Sequence, residues 1–467
     1  MVIENLTTHQ KALQINLDAG KFGTFAEIGA GQEVVRWFFQ VGKAAATVAK
    51  SMSAYDTVVS DEIYGATSHY VSRARIEAML DHEYPLLVQR LDQTRGDKDC
   101  FFVFADTVAT HGRRGSNTGG HGWLGIRFQA HPKHTPSQIL LHVQLLDSVT
   151  TGEQDALGIL GVNLIYGAFY YNNDPSRLVR SLTDGLRRHQ IEVDLIKFSG
   201  PAFAGVENRL MALLLVEKGL THAAMFTAEG EVVQPSEILG GKPVILERGA
   251  FRPVTNITMN MIDGALGQIA KDSTKKGDPV TVVEMTLNNL MTGQEVDRED
   301  FLARADTLAS LGQMVMISDY TRFDLVASCL RKYTREWIVM LMGFPTLREV
   351  FDISYYDSLE GGMLEGLSRL FQKDVSVFVY PAKGSREGEL ETASSFVCDP
   401  EMKNVYKHFL ENGYLRDITD YRADQLHIRP SDVLAKIQNG DASWETLVPP
   451  QAIDIIKKRR LFGFRQR

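Results

Sequence analysis

The sequence predicts an α/β protein with mixed or parallel sheets and helical crossovers, arranged as two α/β regions and a small helical C-terminal region. Three observations carry this. Apolar runs of strand length recur along the chain, segments of helical apolar periodicity fall between them, and glycine-containing turns mark several of the changes. At 467 residues and 44% hydrophobic composition, the chain is long enough for about two or three cores.

In the first region, residues 1–190, Thr24–Ile28 reads as a strand that stops at Gly29-Ala-Gly31 and feeds a helix carrying Val34, Val35 and Phe38. Ser72 is placed to cap a helix bearing Ile76, Met79, Leu80, Tyr84, Leu87 and Leu91, with Pro85 marking a kink or a division. Cys100–Ala105 reads as a buried strand, followed by a glycine-rich loop and the strands Gly122–Phe128 and Ile139–Leu146. The apolar stretch Ala156–Tyr171 is shorter than the roughly 18–20 residues of a membrane span and contains Asn163, so it reads as a buried helix. Its Gly158, Gly161 and Gly167 permit close backbone approach, either within the domain or across a subunit interface.

The second region, residues 191–383, opens with a strand at Glu192–Phe198, an apolar helix at Asn208–Glu217 and short strands near Ala223–Thr227 and Pro243–Glu247. A polar segment, Lys271–Pro279, reads as a surface loop or linker. Strands Val280–Met285, Met314–Ser318, Trp337–Met342 and Val375–Tyr380 then alternate with helices at Phe301–Leu311, Phe323–Tyr333 and Met363–Phe371, the rhythm of a parallel sheet. Residues 384–467 supply a polar loop, a helix around Met402–Leu410, further short helices and a basic tail, Lys457–Arg467, with interleaved phenylalanines.

A net charge of −8 gives no general electrostatic reason to expect nucleic acid as a partner. The start, Met1–Thr8, lacks a basic segment followed by an apolar one, and the three cysteines, Cys100, Cys329 and Cys398, are odd in number and far apart. Together these predict a cytoplasmic protein with reduced thiols and no membrane span.

Candidate chemistry falls in five places. The segment Gly112–Gly122 offers backbone amides and the donors Arg113, Arg114, Ser116 and Asn117 beside Gly119 and Gly120, a composition suited to phosphate or carboxylate. It lacks the Gly-Lys-Ser/Thr ending of a P-loop, and a plain hairpin-like surface loop is the competing reading. Gly29 and Gly31 stand where a strand feeds a helix N-terminus, a place used to seat phosphates. The third glycine of a dinucleotide fingerprint is missing at Val34, however, and acidic neighbours oppose an anion.

His131 and His134, with His121, His142, His111 and Asp106, could supply metal ligands or a general base. The prolines at 132 and 136 put the His131/His134 pair in a loop without helical ligand spacing, so no metal is assigned. Lastly, the predicted strand ends carry Glu284, Asn288 and Asn289, then Ser318, Asp319 and Arg322, then Thr346 and Arg348. Ligands of open α/β sheets bind beyond the carboxyl ends of strands, so these residues are expected to converge unless they merely cap the following helices. Ser199–Gly205 gives one more amide-rich turn, and no Gly-x-Ser-x-Gly elbow is present there.

The segments Phe25–Glu33, Ala156–Phe169, Phe198–Gly205 and Glu284–Leu290 resemble a family of bacterial cytoplasmic proteins that go under the labels nicotinate-nucleotide adenylyltransferase or TonB-dependent receptor, over nearly the whole chain. The adenylyltransferase label calls for H-x-G-H after a glycine-rich strand end, whereas the nearest segment here is Ile126–His134, without that spacing or glycine. The receptor label calls for an exported barrel of alternating strands, against the helical periodicity seen here. The resemblance implies a bacterial cytoplasmic protein and adds no motif.

The leading expectation is an enzyme or sensor binding a small anionic ligand, a nucleotide or sugar phosphate, with a transferase among the reactions open to it. Arg113 and Arg114 hold the anion, Asp319 and Arg322 orient the ligand, and one of His121, His131 or His134 carries the proton. The alternative is a non-enzymatic, self-associating protein, or one binding a partner through its tail; a homo-oligomer is expected under either. No cofactor is identified.

Overall fold

A computed structural model of the chain describes residues 6–111, 119–187, 189–293, 295–384, 386 and 388–465. The chain forms two compact units that divide between Thr221 and His222.

The first unit is built on a mixed six-stranded sheet. Its strands are β1 (Lys21–Gly29), β2 (Val48–Ala54), β3 (Cys100–Ala109), β4 (Gly120–Phe128), β5 (Ser137–Leu145) and β6 (Ile191–Ser199), in the order β2-β1-β3-β4-β5-β6. β2, β1 and β3 run parallel, and β3 to β6 form an antiparallel meander. Residues 191–199, read from sequence as opening the second region, therefore belong to the first sheet, because β6 supplies the hydrogen-bonding edge β5 needs.

Helices cover both faces of this sheet, which explains why Phe101, Phe102, Val103 and Phe104 form an unbroken apolar run with no exposure. One face carries α1 (Thr8–Leu17), α2 (Glu33–Gln40) and α5 (Thr150–Tyr170); the other carries α4 (Arg73–Arg95) after α3 (Thr57–Tyr64). Ser72 caps α4 by accepting the Arg75 amide at 3.2 Å, and the helix runs through Pro85 undivided. The glycines of α5 serve packing inside the unit. A Cβ at Gly161 would lie 2.4 Å from Val34, and one at Gly158 would meet Glu33 and Trp37, so the subunit-interface reading of these glycines gives way to internal packing.

In the second unit the strands are β7 (Ala223–Phe226), β8 (Val232–Val233), β9 (Val244–Arg248), β10 (Val280–Thr286), β13 (Met314–Ser318), β14 (Ile338–Gly343), β15 (Val375–Tyr380) and β18 (Leu415–Asp417). Two small hairpins, β11 (Met291–Thr292) with β12 (Glu295–Val296) and β16 (Ala382–Lys383) with β17 (Leu390–Glu391), stand apart. The main sheet has the order β18-β15-β14-β9-β10-β13-β7-β8, parallel from β18 to β13 and closed by antiparallel β7 and β8.

Counting β9 as first, the six parallel strands lie 3-2-1-4-5-6. The chain winds outward through β10 and β13, returns to β14 beside β9, and winds the other way through β15 and β18. This is the doubly wound arrangement, whose order reverses between β9 and β14. One core lies between the sheet and the helices Phe323–Tyr333 and Gly362–Leu370, where Leu246, Val282, Met316 and Met340 meet Val326, Leu330 and Leu367.

The segment after residue 384 contributes β18 as well as helices, so it is part of this unit. Its basic end is docked: Lys457 pairs with Glu445 at 2.6 Å, Arg459 with Asp306, Phe462 is buried, and Phe464 lies 6.0 Å from Trp444. Among the described residues, no helix is long and apolar enough to cross a membrane.

Candidate functional site

Strand register places Glu284 beside Arg248 and Ser318 beside Thr286, so β9, β10 and β13 end side by side. Arg248 grips the fully buried Glu284 in a fork, Nε at 2.9 Å and Nη2 at 2.8 Å, while the Ser318 hydroxyl donates to the same carboxylate. The guanidinium also lies over Phe323, 4.7 Å from its ring. Two of the strand-end residues expected from sequence, Glu284 and Ser318, thus meet. The residue that organises them, Arg248, went unread because it closes a run that looked purely structural.

Arg322 forks onto the buried Asp324 at 2.9 and 3.2 Å and donates to Ser358 at 2.7 Å; its side-chain bond to Asp324 raises its pKa. Asp319 pairs instead with His222, both oxygens 3.0 Å from Nδ1, and Asn288 is exposed on the short helix Leu287–Leu290.

Glu247 precedes Arg248 and so faces the opposite side of the sheet. It is 5% exposed, its Oε2 has no hydrogen-bond partner, and burial holds its carboxyl well above the usual range. Across the β9 turn, Thr255 begins the helix Asn256–Ala270. Its hydroxyl is buried without a partner, while the Asn256 amide donates to the Leu447 carbonyl. Two unsatisfied polar groups thus bracket the turn that follows the first strand of the doubly wound set.

In the first unit, the glycines at 29 and 31 have a different use from the one their spacing suggests. The Glu27 carboxyl group accepts the amides of Val34 (2.9 Å) and Val35 (3.4 Å) at the start of α2, so the chain's own side chain occupies the place a phosphate would take. Gly29 has φ +76°, and a Cβ there would lie 2.3 Å from the Val108 carbonyl; one at Gly31 would lie 2.0 Å from Asp106. Asp106 is fully buried beside Glu27 on the paired strand, and neither of its oxygens has a hydrogen-bond partner. Burial, then the charge of Glu27, raises the Asp106 carboxyl, and burial also pushes Glu27 up to about 8 against its two amide bonds.

Arg113, Arg114, Ser116 and Asn117 lie outside the described residues. The chain on either side of them is fixed by the buried Glu153, which accepts the His111 amide at 3.2 Å and contacts the His111 ring; Gly120 has no room for a Cβ against it, and Gly119 is exposed. The three candidate histidines do not assemble. His121 stands at the start of β4, whereas His131 and His134, exposed and with ring centres 5.0 Å apart, follow its far end. His121 instead meets His142, Nδ1 to Nε2 at 3.3 Å, and His142 Nδ1 is 2.6 Å from Asp194. Sequence spacing gave no signal for Asp194. Among the described residues, no group of three or more His, Cys, Asp or Glu is arranged to hold a metal ion.

No family model matches the sequence, and a search of curated proteins finds no match. Solved structures similar to part of the chain include the competence/damage inducible protein CihA from Agrobacterium tumefaciens (16% identity, TM-score 0.27, covering 35% of this chain and 97% of that one). A competence-damaged protein (CinA) superfamily protein from Enterobacter cloacae gives 12% identity and a TM-score of 0.26, covering 36% and 95%. The nicotinic acid mononucleotide adenylyltransferase of Plasmodium falciparum gives 14% identity and a TM-score of 0.31, covering 48% and 98%. Likeness at this level carries no functional argument, and the reading of the site rests on its own geometry.

Proposed function

We propose that the second unit binds a nucleotide or sugar phosphate in the crevice beyond the carboxyl ends of β9 and β14. The observation that carries this is the reversal of strand order between those two strands, the position where doubly wound sheets leave room for a ligand. The unpartnered groups of Glu247 and Thr255 supply the second support, since a buried carboxyl oxygen and a buried hydroxyl are completed by the hydroxyls of a sugar. Gly249 and Gly343 stand at the two strand ends, and Arg348, exposed on the helix after β14, is the cation offered to the anionic part of the ligand. Arg248 and Arg322 are neutralised by their own carboxylates and hold the frame. The anion-holding role of Arg113 and Arg114 stands on sequence alone.

The test is calorimetric titration of the full chain with ATP, AMP and glucose 6-phosphate. At least one should bind, and Glu247→Met should weaken it tenfold or more, about 1.4 kcal/mol, with the fold intact by circular dichroism. Absence of binding by all three probes, or an affinity untouched by Glu247→Met, overturns the reading.

A further inference from the structure

The first unit holds a hydrogen-bonded chain that the crevice of the second unit does not use. His121, Trp123, His142 and Gln144 share one face of the β4–β5 pair, because Trp123 pairs with His142 and His121 with Gln144. β6 is regular except at one place. The register shifts at His142/Val143, so that Val193 pairs with Val143 and Leu195 with His142, leaving Asp194 as the extra residue between them. A bulge of this kind turns a side chain out of strict alternation. It brings Asp194 Oδ1 to 2.6 Å from His142 Nδ1, while Gln144 donates to Oδ2 at 3.2 Å. Asp194 and His142 are each 2% exposed, and Trp123 closes over His142 edge-on at 5.0 Å. His121 Nδ1 meets His142 Nε2 at 3.3 Å; its own Nε2 makes no hydrogen bond among the described residues, and the ring is only half-buried.

We infer that the first unit carries an acid–base site in which His121 exchanges one proton with the hydroxyl or amine of a bound small molecule, with His142 and Asp194 as positioning residues. The tautomers follow from the contacts. Asp194 accepts, so His142 Nδ1 carries a hydrogen, and one more hydrogen lies between the two rings. While it sits on His142 Nε2, His142 is an imidazolium balanced by Asp194, and His121 carries its hydrogen at Nε2.

When His121 Nε2 gives that hydrogen to the ligand, the shared hydrogen moves to His121 Nδ1. His142 becomes neutral and His121 Nε2 is left with a lone pair. One proton has left at His121 and one positive charge has disappeared at His142; the return step is the reverse. His121 itself stays uncharged, in keeping with a pKa lowered to about 4 by burial and by the neighbouring His142. The relay moves protons only, so the ligand group is one that exchanges them.

Other charges on this face of the strands include Arg127, opposite Gln138 and paired with Asp81 of α4, Glu192, opposite Gln144, and Lys197, opposite Leu140. α4, packed on β3 and β4, brings Arg75 and Glu83, engaged with Asp61 and with Lys50 and Tyr64.

The test is nitrogen NMR of the full chain labelled at histidine, from about pH 5 to 9. His121 should change from Nε2–H to Nδ1–H at the same midpoint at which His142 loses its charge. A fixed His121 tautomer across the range, or a His121 midpoint separate from that of His142, overturns the relay. In Asp194→Asn the common midpoint should fall by about 1–3 pH units, as expected on losing an opposite charge at contact distance, and an unmoved midpoint counts equally against it. The wild-type measurement decides the matter should that variant fail to fold.

Discussion

Two pairs of buried carboxyl groups, one pair in each unit, are accommodated by different means. In the second unit Glu284, on β10, and Asp324, in the first turn of the helix Phe323–Tyr333, each face an arginine fork, so the buried charge is balanced locally. In the first unit Glu27 and Asp106 sit opposite one another on β1 and β3, with amides at α2 as the donors to Glu27. An acid balanced by a guanidinium stays ionised, and removing its partner is costly. An acid buried beside another acid is held by a proton instead, and pH is what disturbs it.

The largest effect expected from this contrast is at Arg248. Arg248→Met leaves Glu284 buried and uncompensated and should cost about 3–5 kcal/mol in guanidinium unfolding, while Arg248→Met with Glu284→Leu should recover most of the loss. A single-variant loss below about 1 kcal/mol would remove the contrast.

The next effect belongs to the first unit. A carboxyl held up in the folded state keeps a proton that the unfolded chain has already released. Stability should therefore fall as pH rises from about 4.5, the ordinary value for Glu27, to its folded value of about 8. Asp106 contributes with the same sign. Hydrogen exchange resolved by peptide should show β1 and β3 losing protection between those pH values, and Asp106→Asn should make the loss shallower. Equal protection at both ends of the window would mean that the pair is ionised in the folded protein.

How far the sequence foretold this depends on whether a feature is local. Met314–Ser318, Phe323–Tyr333, Val375–Tyr380 and Asn208–Glu217 are read residue for residue, because burial on one or both faces leaves its period in the chain. β2 escaped because its half-buried, polar run Val48–Ala54 carries no such period, and Pro85 does not divide α4 because the helix's packing outweighs the lost hydrogen bond. Gly31 and Glu27 were legible as a turn with acidic flanks, yet only the fold shows that Glu27 fills the helix start. The partnership of His142 with Asp194 spans 52 positions and depends on a one-residue shift in register. Neither leaves a trace in local pattern.

The smallest effect compares two threonines that begin helices. Thr7 accepts the Gln10 amide at 3.2 Å and donates its own amide to the Gln10 side chain at 2.8 Å, a closed capping box, so Thr7→Ala should cost about 1 kcal/mol. Thr255 makes no such bond, and its hydroxyl is buried and unpartnered. Thr255→Val keeps the shape and removes the unsatisfied group, so the ligand-free protein should gain about 1 kcal/mol in denaturant unfolding. If the hydroxyl is kept for a sugar ligand, the same variant should bind that ligand less tightly. A gain in stability with unchanged affinity would place Thr255 outside the crevice, and a loss of stability would mean that its hydroxyl caps the helix after all.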